Sequence, residues 1–145
     1  RNLAGLLMRR GQATLAEFVR SSSAEPFVWG RADCMLWAAD WVRHCHGVDP
    51  AAAWRGAYTD EAGARRIVET FGGAVAMFEE LMGAAGLAWR AVDDPQPGDV
   101  GVIDTPRGPM GAIRGRCHWL ARCEGRGVAF LPGPHLGAWT VCPRP

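Results

Sequence analysis

The segment 34–46 constrains the fold of this chain more than any other stretch. It reads CMLWAADWVRHCH, and apolar side chains occupy nearly every side of a helix built from it. Asp33, immediately before the segment, is a good helix N-cap, and Gly47, immediately after it, is a good helix stop. Because a helix that is apolar nearly all round must be buried, the sequence predicts a central helix that begins at Cys34.

The remaining periodicity places helices first and strands afterwards, with the change after Gly86. Further helices are predicted over about 3–20, 60–70 and 74–85, and strands over about 87–92, 100–104, 110–114, 117–123, 127–131 and 138–142. This order is typical of an α+β fold in which a largely antiparallel C-terminal sheet packs on a central N-terminal helix. With 145 residues, no repeat and no linker, we expect a single domain over residues 1–145.

The composition argues against several classes of protein. The formal net charge is +1, which gives no electrostatic reason to expect a nucleic-acid partner or an anionic membrane surface. No apolar stretch approaches the length of a membrane span, so we expect none. The five cysteines are odd in number and irregularly spaced, which argues against a disulfide framework.

Cys34 has a position with chemical consequences. If Asp33 caps the helix, the thiol lies in its first turn, where unpaired backbone N–H groups and the positive end of the helix dipole favour a thiolate. The same N–H groups can hold a developing oxyanion. The structural alternative is a buried cysteine that serves only as a small apolar side chain. A catalytic thiol also needs a base, usually a histidine from elsewhere in the fold.

Two motifs carry a resemblance to a known superfamily. Pro26-Phe27-Val28-Trp29-Gly30 followed by Asp33-Cys34 resembles the nucleophile region of NlpC/P60-type cysteine peptidases, which are papain-like. Gln96-Pro97-Gly98-Asp99-Val100 resembles their Pro-Gly-Asp signal, which opens the strand before the one that carries the catalytic histidine. More narrowly, the chain resembles a small phage-type family related to NlpC/P60, similar to tail components of phages and gene transfer particles.

The resemblance implies an NlpC/P60-type fold and a cell-wall cysteine endopeptidase. Such an enzyme cleaves a peptidoglycan stem peptide through an acyl-cysteine intermediate, without a cofactor or a metal. Cys34 is then the nucleophile, and Phe27, Trp29 and Asp33 are expected to contact the substrate. Phe27 stands where these enzymes usually have tyrosine.

Two alternatives remain open for the general base. In the first, His118-Trp119-Leu120-Ala121 begins the histidine strand, and His118 is the base. In the second, that strand is Met110-Gly111-Ala112-Ile113. The family's histidine position then falls near Pro109 or Met110, and the chain has no base.

The second alternative predicts a different function. A domain without a base is expected to be an inactive NlpC/P60-like structural component of a phage or phage-like tail tip. The expected partners are therefore peptidoglycan peptides or tail-tip proteins. We expect the chain to be cytoplasmic at synthesis and then incorporated into a phage-like tail.

A metal site is a further possibility to weigh. His44, Cys45 and His46 lie together in the sequence, as do Cys117, His118 and Cys123, and zinc prefers these residue types. Neither group has a Cys-x-x-Cys pair or the helical His-x-x-x-His spacing of common zinc sites. We therefore expect no metal.

Overall fold

The computed structural model describes residues 14–86, 92–125 and 127–141 of the chain. Helix α1 covers 14–22 as far as the described residues extend. It is followed by α2 (Cys34–His46), a short 3-10 turn (Ala52–Trp54), α3 (Glu61–Thr70) and α4 (Ala74–Ala84). Five strands complete the chain: β1 (Val100–Ile103), β2 (Met110–Arg114), β3 (Trp119–Cys123), β4 (Gly127–Leu131) and β5 (His135–Trp139).

Helix α2 begins and ends where its sequence signals predict. The Asp33 carboxylate accepts a hydrogen bond from the backbone N–H of Leu36, at 3.0 Å, which caps the first turn. Gly47 ends the helix in the left-handed conformation, at φ 72°, and donates its N–H to the carbonyl of Arg43. Seven of the helix residues are buried: Cys34, Leu36, Trp37, Ala38, Ala39, Trp41 and Val42.

The strands form one sheet in the order β4-β3-β2-β1-β5, and all neighbouring pairs are antiparallel. One face of the sheet packs on α2 and α4, so that Val100, Val102 and Ile113 join the tryptophans of the central helix in the main core. The other face carries a smaller apolar cluster around Trp119. The antiparallel sheet packed on a central helix confirms the predicted α+β class.

The Pro-Gly-Asp turn attaches the sheet to the central helix. The indole N–H of Trp41, inside α2, donates a hydrogen bond to the buried carbonyl of Gly98 at 2.8 Å. The Asp99 carboxylate accepts from the backbone N–H of Gln96 at 2.8 Å and so closes its own turn. These bonds fix where β1 starts relative to α2, and therefore where the start of α2 lies along the sheet.

The secondary-structure predictions are confirmed for most of the described residues. Helices α2, α3 and α4 and strands β1 to β4 lie within a few residues of the predicted ranges, while β5 begins at His135, three residues earlier than expected. The predicted helix over 3–20 is confirmed from residue 14 onward, and its first part lies outside the described residues. The strand predicted at 87–92 also falls almost entirely outside them.

Among the described residues, no helix has both the length and the apolar composition needed to cross a membrane.

The close approach of β2 to the start of α2 predicts a specific sensitivity at Gly111. A Cβ at this position would lie 3.0 Å from the Met35 sulfur and 3.2 Å from the Cys34 carbonyl oxygen. Because the backbone of α2 cannot yield easily, Gly111→Ala should lower the free energy of unfolding by about 1–3 kcal/mol. Chemical denaturation followed by tryptophan fluorescence measures this loss.

The matched control is Gly83→Ala in α4, where nothing lies within 4 Å of the added Cβ. Replacing a helical glycine in open space should stabilise the protein by about 0.5–1 kcal/mol. Equal stability of the Gly111 and Gly83 variants would contradict the packing of β2 on α2.

Candidate functional site

An open cleft of about 350 Å³ lies over the start of α2. Cys34 and Met35 form part of its floor, and their neighbours come from four separate parts of the chain. The walls are contributed by the loop before α2, by α3 with the start of α4, by the β1–β2 loop and by the end of β3. The predicted residues Phe27, Trp29 and Cys34 therefore meet in one cleft.

Side chains that line the cleft contact one another through a hydrogen bond, a ring contact and ion pairs. The Trp29 indole N–H donates to the Glu124 carboxylate at 2.8 Å, and the Trp29 ring meets Phe27 edge-on at 4.9 Å between centroids. Glu61 in α3 pairs with Arg65 at 2.9 Å and contacts Arg107 of the β1–β2 loop at 3.9 Å. Aromatic and charged side chains thus both line the cleft that contains the thiol.

Asp33 is a buried hydrogen-bonding centre beneath the thiol. Its side chain is 1% exposed, and its two oxygens accept three hydrogen bonds. The donors are the N–H of Leu36 in α2, the N–H of Gly30 at 2.9 Å and the hydroxyl of Tyr58 at 2.5 Å. The carboxylate therefore joins the loop before α2, the first turn of α2 and the segment before α3.

Asp33, which the sequence predicts to contact substrate, does not reach the cleft surface. Asp33 does not line it, and its oxygens are occupied by internal donors. A buried carboxylate with three donors serves to position the residues around it, and here those residues include Cys34.

The Cys34 thiol is held in its neutral form. Its side chain is 9% exposed, and burial together with the negative charge of Asp33 raises the pKa of the thiol from 9.0 to about 12. The backbone of Gly111 and Met35 hydrogen-bonds to the sulfur and acts in the opposite direction, but it does not compensate for burial. The helix start alone does not produce a thiolate here, in contrast to what the sequence position suggests.

The structure does not bring His118 to Cys34. His118 is exposed and lies in the turn before β3, beside Trp119, which pairs with Arg114 at the end of β2. Cys34 instead faces Gly111 near the start of β2. The three residues from Gly111 to Arg114 span roughly 10 Å of strand, which is well beyond hydrogen-bonding reach.

No other histidine takes its place in the cleft. The chain has four histidines, and all of them lie within the described ranges. His44 and His46 are in the last turn of α2, at the opposite end from Cys34, and His135 begins β5 against the Trp119 ring. None of the four lines the cleft.

Strand order favours the second alternative for the base position. The strand that directly follows β1 is β2, which begins at Met110, and both Pro109 and Met110 line the cleft. Where the resemblance to the NlpC/P60 enzymes calls for a histidine, the cleft therefore has a proline and a methionine, neither of which can accept a proton.

Neither of the two sequence clusters considered as metal sites forms one. His44, Cys45 and His46 remain together in the last turn of α2, but the second cluster is separated along β3. Cys117 and His118 lie before β3, whereas Cys123 lies at its far end. Within the described ranges, no group of three or more histidine, cysteine or carboxylate side chains is arranged to hold a metal ion.

Sequence reasoning missed two residues of this region. Tyr58 supplies a hydroxyl to Asp33 from a segment with no motif, although it is the single tyrosine of the chain. Arg122 lies in β3, is 1% exposed and lines the cleft. Its signal was a charged residue in the middle of an apolar strand, on the same face as Leu120.

The comparison with protein families assigns this chain to one family. The sequence model of the family described as "Domain of unknown function (DUF6950)" matches residues 8–141. The chain belongs to this family. No curated protein and no solved structure gave a significant match. The DUF6950 description carries no activity, so function must be argued from the cleft itself.

The Tyr58–Asp33 hydrogen bond predicts a measurable loss on removal of one hydroxyl. Tyr58→Phe keeps the ring but leaves the Asp33 carboxylate with one donor fewer, at a buried position. We expect a loss of about 1–3 kcal/mol in the free energy of unfolding at neutral pH, because the bond is charge-assisted. Phe27→Leu, at an aromatic residue with no hydroxyl, controls for general disturbance near the cleft.

The same groups predict that stability falls at alkaline pH. Burial, followed by the Asp33 charge, raises the pKa of Tyr58 above 10.0, and the pKa of Cys34 rises from 9.0 to about 12. The unfolded chain therefore loses protons above pH ~9 that the folded chain keeps, so stability is full below that pH and declines above it. With no lysine in the sequence, few other groups titrate there. Urea unfolding from pH 8 to 11 should show a shallower decline for Tyr58→Phe, and an equal decline would contradict the assignment.

Proposed function

We propose that this protein is an NlpC/P60-like domain of papain-like architecture that binds peptide in the cleft over Cys34 without cleaving it. Its ligand is a peptidoglycan stem peptide, and its place is the tail tip of a phage or phage-like particle. The chain is synthesised in the cytoplasm and built into the tail, where the cleft engages the cell wall.

The shape of the fold supports the first part of this proposal. The Asp33-Cys34 pair begins a central helix, an antiparallel sheet packs on that helix, and the Pro-Gly-Asp turn opens β1. Both motifs that carry the resemblance to NlpC/P60 therefore lie where the central helix meets the sheet, which supports the proposal. Aromatic and apolar walls beside a helix start are also suited to hold a peptide.

The lack of a histidine in the cleft carries the second part. A cysteine nucleophile needs a partner that removes its proton, and none of the four histidines lines the cleft. The thiol itself is buried beside a carboxylate, which raises its pKa to about 12. At neutral pH the thiolate is therefore a minor form of this group, which disfavours attack on a carbonyl.

The cysteine endopeptidase remains a second candidate, favoured by one observation. The sulfur of Cys34 lies at a helix start beside the backbone of Gly111 and Met35, which is the arrangement that stabilises an oxyanion. Activity would then depend on a carboxylate of the cleft, or on a residue of a partner, acting as the base.

Cys34→Ala separates the two candidates. Removal of one sulfur should cost on the order of 1 kcal/mol in folding, while loss of a true nucleophile lowers the rate by many orders of magnitude. We expect the wild-type protein and Cys34→Ala to bind purified muropeptides with affinities within about threefold of each other, and neither protein to cut them. Fluorescence titration measures the binding, and mass spectrometry of the muropeptides measures cleavage.

Cleavage by the wild-type protein and not by Cys34→Ala would establish the endopeptidase instead. Cys117→Ala, at an exposed cysteine in the turn before β3, is the matched control for thiol loss. If neither the wild-type protein nor the variant binds muropeptides, the peptide-binding function is wrong.

A further inference from the structure

A buried arginine beside the cleft has no carboxylate partner among the described residues. Arg122 is 1% exposed, and its Nη1 donates a hydrogen bond to the Ser22 carbonyl. Its Nε and Nη2 are buried and have no hydrogen-bond partner among the described residues. A guanidinium stays charged at all physiological pH values, so this group cannot relieve its burial by losing a proton.

The two unpaired nitrogens lie on one edge of the guanidinium. Nε and Nη2 each direct an N–H group outward from this edge, and the two N–H groups are parallel. The distance between them matches the distance between the two oxygens of a carboxylate. We call this pair of N–H groups the fork of Arg122. Because Nη1 is bonded to the Ser22 carbonyl, the orientation of the fork is set before any ligand binds.

Arg122 lies between two pockets. It lines the Cys34 cleft and also a second pocket that Ser22 and Glu25 line. Its Nη1 is bonded to the Ser22 carbonyl, a group of the second pocket, so the edge formed by Nε and Nη2 is the part of the guanidinium left for a ligand of the cleft.

The acidic residues of the cleft do not satisfy this arginine. Glu61 pairs with Arg65 and contacts Arg107, and Glu124 accepts from the Trp29 indole. Glu69 also lines the cleft, but among the described residues no carboxylate forms an ion pair with Arg122. The charge of Arg122 is therefore left without a partner in the described part of the chain.

We propose that Arg122 is a carboxylate receptor of the cleft, and that it binds a carboxylate group of the peptide ligand through Nε and Nη2. The identity of the carrier as a peptide rests on the proposed function, whereas the carboxylate site itself does not. Both nitrogens are covered in the structure described here, so ligand entry requires side chains of the cleft to move apart.

Nuclear magnetic resonance of the ¹⁵N-labelled full chain tests this directly, since the Arg122 Nε–H signal reports on the fork itself. The probes are sodium acetate, acetyl-alanyl-alanine with a free carboxylate, its C-terminal amide, and inorganic phosphate, each against sodium chloride at equal ionic strength. We expect acetate and the acid peptide to shift the Arg122 signal saturably, and the amide to bind at least about tenfold more weakly.

Arg122→Lys keeps the charge but not the fork, so the preference for the acid over the amide should disappear. Arg116→Gln, at an exposed arginine before β3, should leave that preference unchanged. Thermal unfolding of each variant establishes that it folds, and the comparison of acid with amide on the wild-type protein does not depend on any variant.

The remaining outcomes separate this inference from the proposed function. Equal binding of acid and amide without a shift at Arg122 overturns the carboxylate receptor and leaves peptide binding intact. A shift with acetate but no binding of either peptide supports the receptor and refutes peptide binding. No shift with acetate, or tighter binding of phosphate than of acetate, overturns the assignment to a carboxylate.

Discussion

The Asp33 carboxylate is the contact on which the cleft depends. It is buried, and it holds the N–H groups of Gly30 and Leu36 and the hydroxyl of Tyr58 at the same time. Two of the donors lie three residues from Asp33 in the chain, and the third comes from the segment before α3, whose Gly56 N–H also bonds to the Gly30 carbonyl. The loop before α2, the first turn of α2 and the approach to α3 therefore meet at this side chain.

The same interaction decides the chemistry of the thiol. Burial disfavours a thiolate at Cys34, and the neighbouring carboxylate adds negative charge where a thiolate would need positive potential. The helix dipole at an N-terminus contributes much less than the desolvation of a charge that is nearly excluded from water. Position at a helix start is thus not sufficient to make a cysteine reactive.

Local signals in the sequence predicted the parts of the fold that depend on local chemistry. Three such signals are the cap at Asp33, the stop at Gly47 and the change of period after Gly86. Each depends on only a few neighbouring residues, and α2 and the strands lie where these signals predict them. Phe27, Trp29 and Cys34 were placed together because their motif is contiguous.

The base position could not be settled in this way. Met110 begins an apolar strand, and His118 directly precedes another. Which of these strand ends lies beside α2 is decided by pairing between strands that are distant in the sequence. Tyr58 was missed because a single loop tyrosine has no pattern. Arg122 was visible as a charge in an apolar strand, but its unpaired nitrogens depend on tertiary packing.

The cleft brings a buried thiol, aromatic side chains and a buried cation together. Cys34 lines it, none of the four histidines does, and among the described residues Arg122 is the fully buried cation that borders it. In the function proposed above, this arrangement favours retention of a ligand over its turnover.

The most direct test of this account is the alkylation rate of Cys34 as a function of pH. The folded full chain is alkylated and then digested, and mass spectrometry of the peptides measures the modification of each cysteine. The exposed Cys117 is the internal reference. With its pKa raised to about 12, Cys34 should react more than about tenfold more slowly than Cys117 between pH 7 and 9, with a rate that still rises about tenfold per pH unit. A rate for Cys34 that exceeds that of Cys117 and levels off below pH ~8.5 would contradict the account, because it would show a thiolate ready for catalysis.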